Sequence, residues 1–135
     1  MKYLLDTNTW VAYLRRTSPT VIQRIRETAP TEIALCSVVI AELRYGAYRS
    51  SDVGHNLGLV DRLIERFDCI TFDAASADHH ARIRLELSKK GTPIGPHDLM
   101  IAACAAAHGL IVVSNNTREF GRVSGLQIED WTLAR

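Results

Sequence analysis

Short apolar segments that alternate with helical patterns constrain this chain most strongly. Residues 2–5, 32–36, 69–72, 110–113 and 126–129 have the composition of strands, and amphipathic or apolar helical patterns separate them. Strands joined through helices pair in parallel by right-handed crossovers. The pattern therefore predicts an α/β protein with three layers, α/β/α, around a central parallel sheet. The continuously apolar segments at 3–5 and 110–113 fit strands that helices cover on both faces.

Local signals set the helix boundaries. Ser18 followed by Pro19 predicts a helix start, Ser37 and Asp73 are predicted N-caps, and Gly109 is the predicted end of an apolar helix over 96–108. Residues 51–54 are predicted as a polar loop, and apolar spacing indicates a helix over 57–67.

Length and charge limit the functional classes. A chain of 135 residues fits one domain over 1–135. Sixteen basic and fifteen acidic residues exclude a bulk polycation and an acidic disordered tail. Thirteen of the sixteen basic residues are arginine, which binds phosphate through paired hydrogen bonds, although a coding preference for arginine explains the excess equally well.

The cysteines and the apolar stretches indicate a cytoplasmic location. Cys36, Cys69 and Cys104 lie far apart in apolar segments, as expected for buried free thiols in a reducing compartment. The longest apolar stretch, 99–113, is shorter than the roughly 20 residues that span a bilayer. We therefore expect a soluble protein without membrane contact.

Asp6 directly follows the first predicted strand, so it is expected at the carboxyl edge of the sheet. In open parallel sheets the working site lies at that edge, where the strand order reverses. A helix-capping or turn role explains an aspartate at this position equally well.

Glu42 and Asp98 are two further acids with apolar neighbours on their helices. The residues three and four positions from Glu42 are apolar or small, which predicts a buried carboxylate that either binds a cation or pairs with Arg44 or Arg49. Asp98 lies in the first turn of its helix, where it either compensates the helix dipole or serves a site.

Asn116 and Glu119 follow the fourth strand and are expected at the same edge as Asp6. Several carboxylates close together do not all stay ionised without a cation, and carboxylate oxygens suit Mg²⁺ or Mn²⁺. The sequence contains no HExxH zinc motif, no GxxxxGK[ST] phosphate loop and no GxGxxG nucleotide motif.

Four blocks in register resemble the PIN-domain ribonucleases, and more narrowly the VapC-type toxins of type II toxin–antitoxin pairs. The blocks are LLDTN at 4–8, SVVIAELRYG at 37–46, IGPHDLMIAA at 94–103 and VSNNTREF at 113–120. The resemblance covers essentially the whole chain and implies a PIN-like fold, an Mg²⁺-dependent endoribonuclease for which Mn²⁺ substitutes, and a homodimer.

The same resemblance implies specific site residues and partners. Asp6, Glu42 and Asp98 match the acidic metal-binding positions, whereas Asn116 stands where many PIN domains carry an aspartate, so Glu119 is a candidate replacement. Candidate residues for orienting ligands or binding the RNA backbone are Thr7, Asn8, Arg44 and Arg118. The implied partners are a VapB-type antitoxin, through which alone DNA is contacted, and a structured tRNA substrate.

Two other functions are compatible with the length and fold class. A response-regulator receiver would be phosphorylated on aspartate, but the sequence lacks the acidic pair and the lysine that such a domain needs. The second alternative is a catalytically silent PIN-like module that binds RNA or a protein. It is supported by Asn116, which stands where many PIN domains carry an aspartate.

Overall fold

A five-stranded parallel sheet forms the centre of the computed structural model, which describes residues 1–134. The strands are β1 (Tyr3–Leu5), β2 (Ile33–Cys36), β3 (Asp68–Ile70), β4 (Ile111–Val113) and β5 (Ile128–Glu129). Their order is β3-β2-β1-β4-β5, and each neighbouring pair is parallel. All five strands were predicted, within one to two residues at most ends, and the α/β class is confirmed.

Seven α-helices and one short 3-10 helix connect the strands within residues 1–134. The α-helices are α1 (Thr7–Leu14), α2 (Pro19–Glu27), α3 (Ser37–Tyr48), α4 (Val53–Arg66), α5 (Ala74–Lys89), α6 (Pro96–His108) and α7 (Thr117–Phe120), and the 3-10 helix is Pro30–Glu32. The predicted caps Ser18 and Asp73 accept hydrogen bonds from the backbone of the first turns of α2 and α5. Gly109 ends α6 in the left-handed conformation, with φ of 65°, as its position predicted.

Two predicted helix starts are wrong. Ser37 is the first residue of α3 rather than its cap, and its hydroxyl oxygen accepts a hydrogen bond of 3.3 Å from the backbone N–H of Phe72. Helix α4 begins at Val53, inside the predicted loop, and Asp52 caps it. Its first turn is polar apart from Val53, so the apolar spacing that identifies this helix begins only one turn later.

The core lies on both faces of the central strands. Every residue of β2 is buried, as are Leu4, Leu5, Val112 and Val113, and α6 packs a row of buried small residues against the sheet. Cys36 and Cys104 are buried in this core, but Cys69 is exposed, contrary to expectation, because it lies on the edge strand β3. None of the helices among residues 1–134 has the length and apolar character needed to cross a membrane.

The strand order reverses next to β1. The chain first moves from β1 outward through β2 to β3 and then returns to place β4 on the other side of β1. The backbone N–H of Asp6 donates a 3.0 Å hydrogen bond to the carbonyl of Val113, so the ends of β1 and β4 stay in register. This is the position at which open parallel sheets place their sites.

Candidate active site

Asp6 occupies the reversal point and is almost completely buried, with 3% of its surface exposed. Its Oδ1 accepts hydrogen bonds from the backbone N–H (3.0 Å) and the hydroxyl (2.7 Å) of Thr9, and its Oδ2 accepts one of 2.6 Å from the Ser114 hydroxyl. Asp6 is therefore the N-cap of α1, and it also lies at the predicted carboxyl edge of the sheet. Burial raises the pKa of Asp6, and these hydrogen bonds oppose the increase.

Ser114 connects Asp6 to the segment after β4. Its side chain is fully buried, and its oxygen also accepts a 2.8 Å hydrogen bond from the backbone N–H of Asn116. The same residue therefore fixes the rotamer of Asp6 and the path of the chain that carries Asn116.

Asp98, Asn116 and Glu119 form one hydrogen-bonded group. The side-chain amide nitrogen of Asn116 lies 3.2 Å from Oδ2 of Asp98 and also donates to Oε2 of Glu119. Burial raises the pKa of Asp98 to about 6, and the charges of Asp6 and Glu119 and a hydrogen bond with Glu119 add to the effect. The amide of Asn116 lowers the pKa of Glu119. Asp98 and Glu119 thus share a site in which Asp98 is the carboxyl that holds a proton more readily.

Glu42 connects three helices. Its Oε1 accepts a 2.7 Å hydrogen bond from the Thr7 hydroxyl on α1, and its Oε2 lies 3.2 Å from Nδ1 of His97 on α6. The predicted burial of Glu42 is wrong: 27% of its side chain is exposed, because the helix face next to it is open to solvent at Tyr45. Its predicted arginine partners are also wrong, since Thr7 and His97 take that place.

The other predicted residues are dispersed. Thr7 lies in the site through its hydrogen bond with Glu42. Arg44 forms an ion pair of 2.9 Å with Asp61, across α3 and α4. Asn8 and Arg118 are exposed, and neither takes part in a side-chain hydrogen bond or ion pair within the described part of the chain.

The donor chemistry of the site suits a hard divalent cation. Its candidate donor atoms are carboxylate and amide oxygens, and the charge of Asp6 opposes ionisation of Asp98. Among residues 1–134, no three His, Cys, Asp or Glu side chains converge into a ready-made metal cluster. Instead, the carboxylates are held by hydroxyl and amide donors, and a cation would relieve the repulsion between them.

Sequence reasoning missed two residues of the site, Thr9 and Ser114, and it favoured an ordinary surface histidine at His97 rather than a partner of Glu42. Thr9 stands three residues after a capping aspartate, which is the position whose backbone N–H such a cap binds. Ser114 follows a buried strand directly, as Asp6 does, and that shared position is the signal that identifies it. His97 precedes Asp98, but its contact with Glu42 depends on how α3 and α6 pack, which the sequence does not reveal.

Comparison with known proteins places these observations in a family. The sequence profile of the PIN domain matches residues 3–126. The chain is 41% identical to the tRNA(fMet)-specific endonuclease VapC of Shigella flexneri over 132 residues, which are 98% of this chain and 99% of the relative. It is 37% identical to ribonuclease VapC2 of Haemophilus influenzae (strain ATCC 51907 / DSM 11121 / KW20 / Rd), covering 97% of this chain and 98% of the relative.

Solved structures show the same fold. A chain of the DNA-bound VapBC structure from Salmonella typhimurium superposes with a TM-score of 0.91 at 40% identity, covering 97% of this chain and 98% of that one. A chain of VapBC2 from Rickettsia felis, bound to a promoter DNA fragment, gives a TM-score of 0.90 at 34% identity, covering 97% and 99%. These matches leave no support for a response-regulator receiver.

Proposed function

The chain belongs to the PIN-domain family and, within it, to the VapC ribonucleases of toxin–antitoxin pairs, and we propose that it hydrolyses a structured tRNA with Mg²⁺ as its cofactor. The observation that carries the proposal is the grouping of Asp6, Asp98 and Glu119 at the edge of the sheet where the strand order reverses. Nuclease chemistry in this family depends on a divalent metal. Mg²⁺ is the choice that the oxygen-only donor set favours, and Mn²⁺ is expected to substitute.

Each site residue has a proposed role in holding the metal. Asp6 and Asp98 are the proposed principal metal ligands, Glu42 is the third, and Glu119 with Asn116 completes the set. These residues would hold a divalent cation, which would supply a water of lowered pKa as the nucleophile and stabilise the leaving oxygen. Attack of that water on phosphorus with departure of the 3′ oxygen leaves 5′-phosphate and 3′-hydroxyl ends.

Neighbouring hydrogen bonds keep these carboxylates in place. Thr9 and Ser114 fix Asp6, Asn116 holds Asp98, and Thr7 holds Glu42. Such outer contacts orient metal ligands.

We propose initiator tRNA as the substrate and the cytoplasm as the compartment. The relatives from Shigella flexneri and Salmonella typhimurium are both named for tRNA(fMet), and they match this chain over nearly its whole length. We expect Arg118, which is exposed beside Glu119, to contact the RNA backbone.

The proposed inhibitor is a VapB-type antitoxin, as in the VapBC complexes that share this fold. A groove runs from Glu42 between α1, α3 and α4. Leu14 and Leu59 line both this groove and a second pocket, whose lining includes four arginines. These arginines are Arg16, Arg26, Arg62 and Arg66. We propose that an antitoxin segment folds along this groove and places a basic side chain among the carboxylates. The toxin is expected to be a homodimer that contacts DNA only through the antitoxin.

A cleavage assay tests the activity. Purified protein is incubated with initiator tRNA in Mg²⁺, in Mn²⁺ and in EDTA, together with the variants Asp6→Ala and Asp98→Ala and the control Asp78→Ala, which changes an exposed acid on α5. We expect cleavage by the wild type and the control with either metal, and none in EDTA or with the two site variants. Melting curves must show that the variants fold.

The same assay addresses a silent RNA- or partner-binding module, the alternative that Asn116 supports. Such a module would bind tRNA but leave it intact in Mg²⁺ and in Mn²⁺. In that case the site variants would be indistinguishable from the wild type.

A further inference from the structure

An exposed aromatic ring lies one helical turn beyond the proposed catalytic carboxylate Glu42. Tyr45 is on α3, three positions after Glu42, so the two side chains are neighbours on one helix face. The tyrosine is 66% exposed, although burial of an aromatic ring is energetically favourable. Tyr45 does not line the groove assigned above to the antitoxin, although its neighbours Glu42 and Gly46 do.

A guanidinium group accompanies this ring. The Cζ atom of Arg49, four positions after Tyr45, lies 5.4 Å from the centroid of the ring. Arg49 takes part in none of the ion pairs formed among residues 1–134, whereas Arg44 on the same helix is paired with Asp61. The guanidinium of Arg49 therefore has its hydrogen-bond donors available for an anion.

An exposed ring, with the guanidinium of Arg49 over one of its faces and the other face open, matches the two parts of a nucleotide. Aromatic side chains stack on the flat faces of unpaired bases, which is how proteins recognise the loops of structured RNA. Arginine binds phosphate through its planar fork of donors.

We propose that Tyr45 and Arg49 form a nucleotide platform, on which Tyr45 stacks an unpaired base of the RNA substrate while Arg49 binds an adjacent phosphate. The platform rests on the proposed function, because it assumes an RNA substrate whose cleaved bond lies near Glu42. Its role is to position the RNA: neither residue touches the reacting phosphorus.

The surroundings of the platform favour RNA over a second copy of this chain. The residues that follow α3 are polar, namely the half-buried Ser50 and the exposed Ser51 and Asp52, so Tyr45 and its exposed neighbour Tyr48 do not belong to a large contiguous apolar surface. Protein interfaces are marked by apolar patches larger than this one.

The test is RNA binding by metal-free protein. Initiator tRNA is titrated with wild type, Tyr45→Ala, Tyr45→Phe and Arg49→Ala in EDTA, at several salt concentrations. We expect Tyr45→Ala to weaken binding about tenfold, in line with the loss of one stacked base, and Tyr45→Phe to stay close to wild type because the ring remains.

The salt dependence separates the two roles. Loss of one phosphate contact lowers the slope of log K against log salt by about 0.7 to 0.9, so Arg49→Ala should show a shallower slope. Tyr45→Ala should keep the wild-type slope, because stacking releases no counterions. Leu85→Ala and Arg82→Ala, which remove an exposed apolar and an exposed basic side chain from α5, should change neither affinity nor slope.

Three results would overturn the platform. Binding by Tyr45→Ala at the wild-type level excludes stacking, and an equal loss with Tyr45→Phe shows that the hydroxyl rather than the ring matters. A change of sedimentation coefficient in Tyr45→Ala identifies this face as a contact between copies. Failure of the proposed function appears separately, as wild-type protein that does not cleave tRNA in Mg²⁺.

Discussion

The hydroxyl of Ser114, at the end of β4, donates a hydrogen bond of 2.6 Å to Oδ2 of Asp6, at the end of β1. The two residues are 108 positions apart, and both are buried. This contact joins the two strands between which the order of the sheet reverses, and it does so through the carboxylate that we assign to the metal. Stability and activity are therefore linked at this pair.

Replacement of Ser114 by alanine should lower both the stability and the activity of the protein. A hydrogen bond to a buried charged group contributes about 1.5 to 3 kcal/mol to the free energy of unfolding, and its loss leaves Asp6 in a less polar surrounding. We expect a decrease of about that size in urea denaturation, together with slower tRNA cleavage at neutral pH. Ser124→Ala is the matched control, because its hydroxyl also donates to a carboxylate, that of Glu86, but at an exposed position. Equal stability of Ser114→Ala and wild type would contradict the role given to this contact.

Asp98→Asn should stabilise the metal-free protein at neutral pH. The pKa of Asp98 is raised from 3.8 to about 6, so the folded state binds a proton at this carboxyl more tightly than the unfolded state does. The contribution of the protonated Asp98 carboxyl to stability is complete below pH 3.8 and is lost as the pH rises through about 6. The amide of Asp98→Asn does not titrate, so the variant loses no stability in this way. Melting temperatures in EDTA should therefore favour the variant increasingly across this interval.

Added Mg²⁺ should make the wild type more stable than Asp98→Asn. A ligand that binds only the folded state raises its stability in proportion to the logarithm of its concentration. Wild type should gain melting temperature with Mg²⁺, and Asp98→Asn should gain less. A wild-type melting temperature that is insensitive to both Mg²⁺ and Mn²⁺ would argue against a metal at this carboxylate.

The order and type of the elements could be predicted from sequence, whereas the contacts between them could not. Apolar strands, capping residues and Gly109 are local signals, so the strands and most helices were found within a few residues. The partners of Glu42 depend on the packing of α1 and α6 around α3, which placed Thr7 and His97 where the helix pattern suggested an arginine. The Ser114–Asp6 contact depends on β4 lying beside β1, and no local pattern encodes that neighbour.

The arginine-lined end of the groove yields a prediction about inhibition. Arg62 and Arg66, both exposed on α4, should attract acidic residues of the antitoxin. Arg62→Glu combined with Arg66→Glu should lower antitoxin affinity and speed its dissociation, measured by surface plasmon resonance. The control reverses Arg82 and Arg84 on α5 instead, with the same change in net charge, and should leave antitoxin affinity unchanged. An equal loss with both pairs would indicate a general charge effect rather than contact at the groove.

Glu119 and Asn116 make different contributions to metal affinity in our proposal. Glu119 accepts a hydrogen bond from the Asn116 amide and lies against Asp98, which places its carboxylate with the proposed ligands. Glu119→Gln should therefore raise the Mg²⁺ concentration for half-maximal cleavage by about tenfold, which corresponds to about 1.4 kcal/mol of binding. Asn116→Ala should have a smaller effect, since it removes a neutral group that orients its neighbours.

The rival account treats Glu119 as a helix-capping residue that never contacts metal, and glutamine would preserve such a cap. Under that account the Mg²⁺ requirement of Glu119→Gln equals that of the wild type, so parallel titrations of the two variants decide between them.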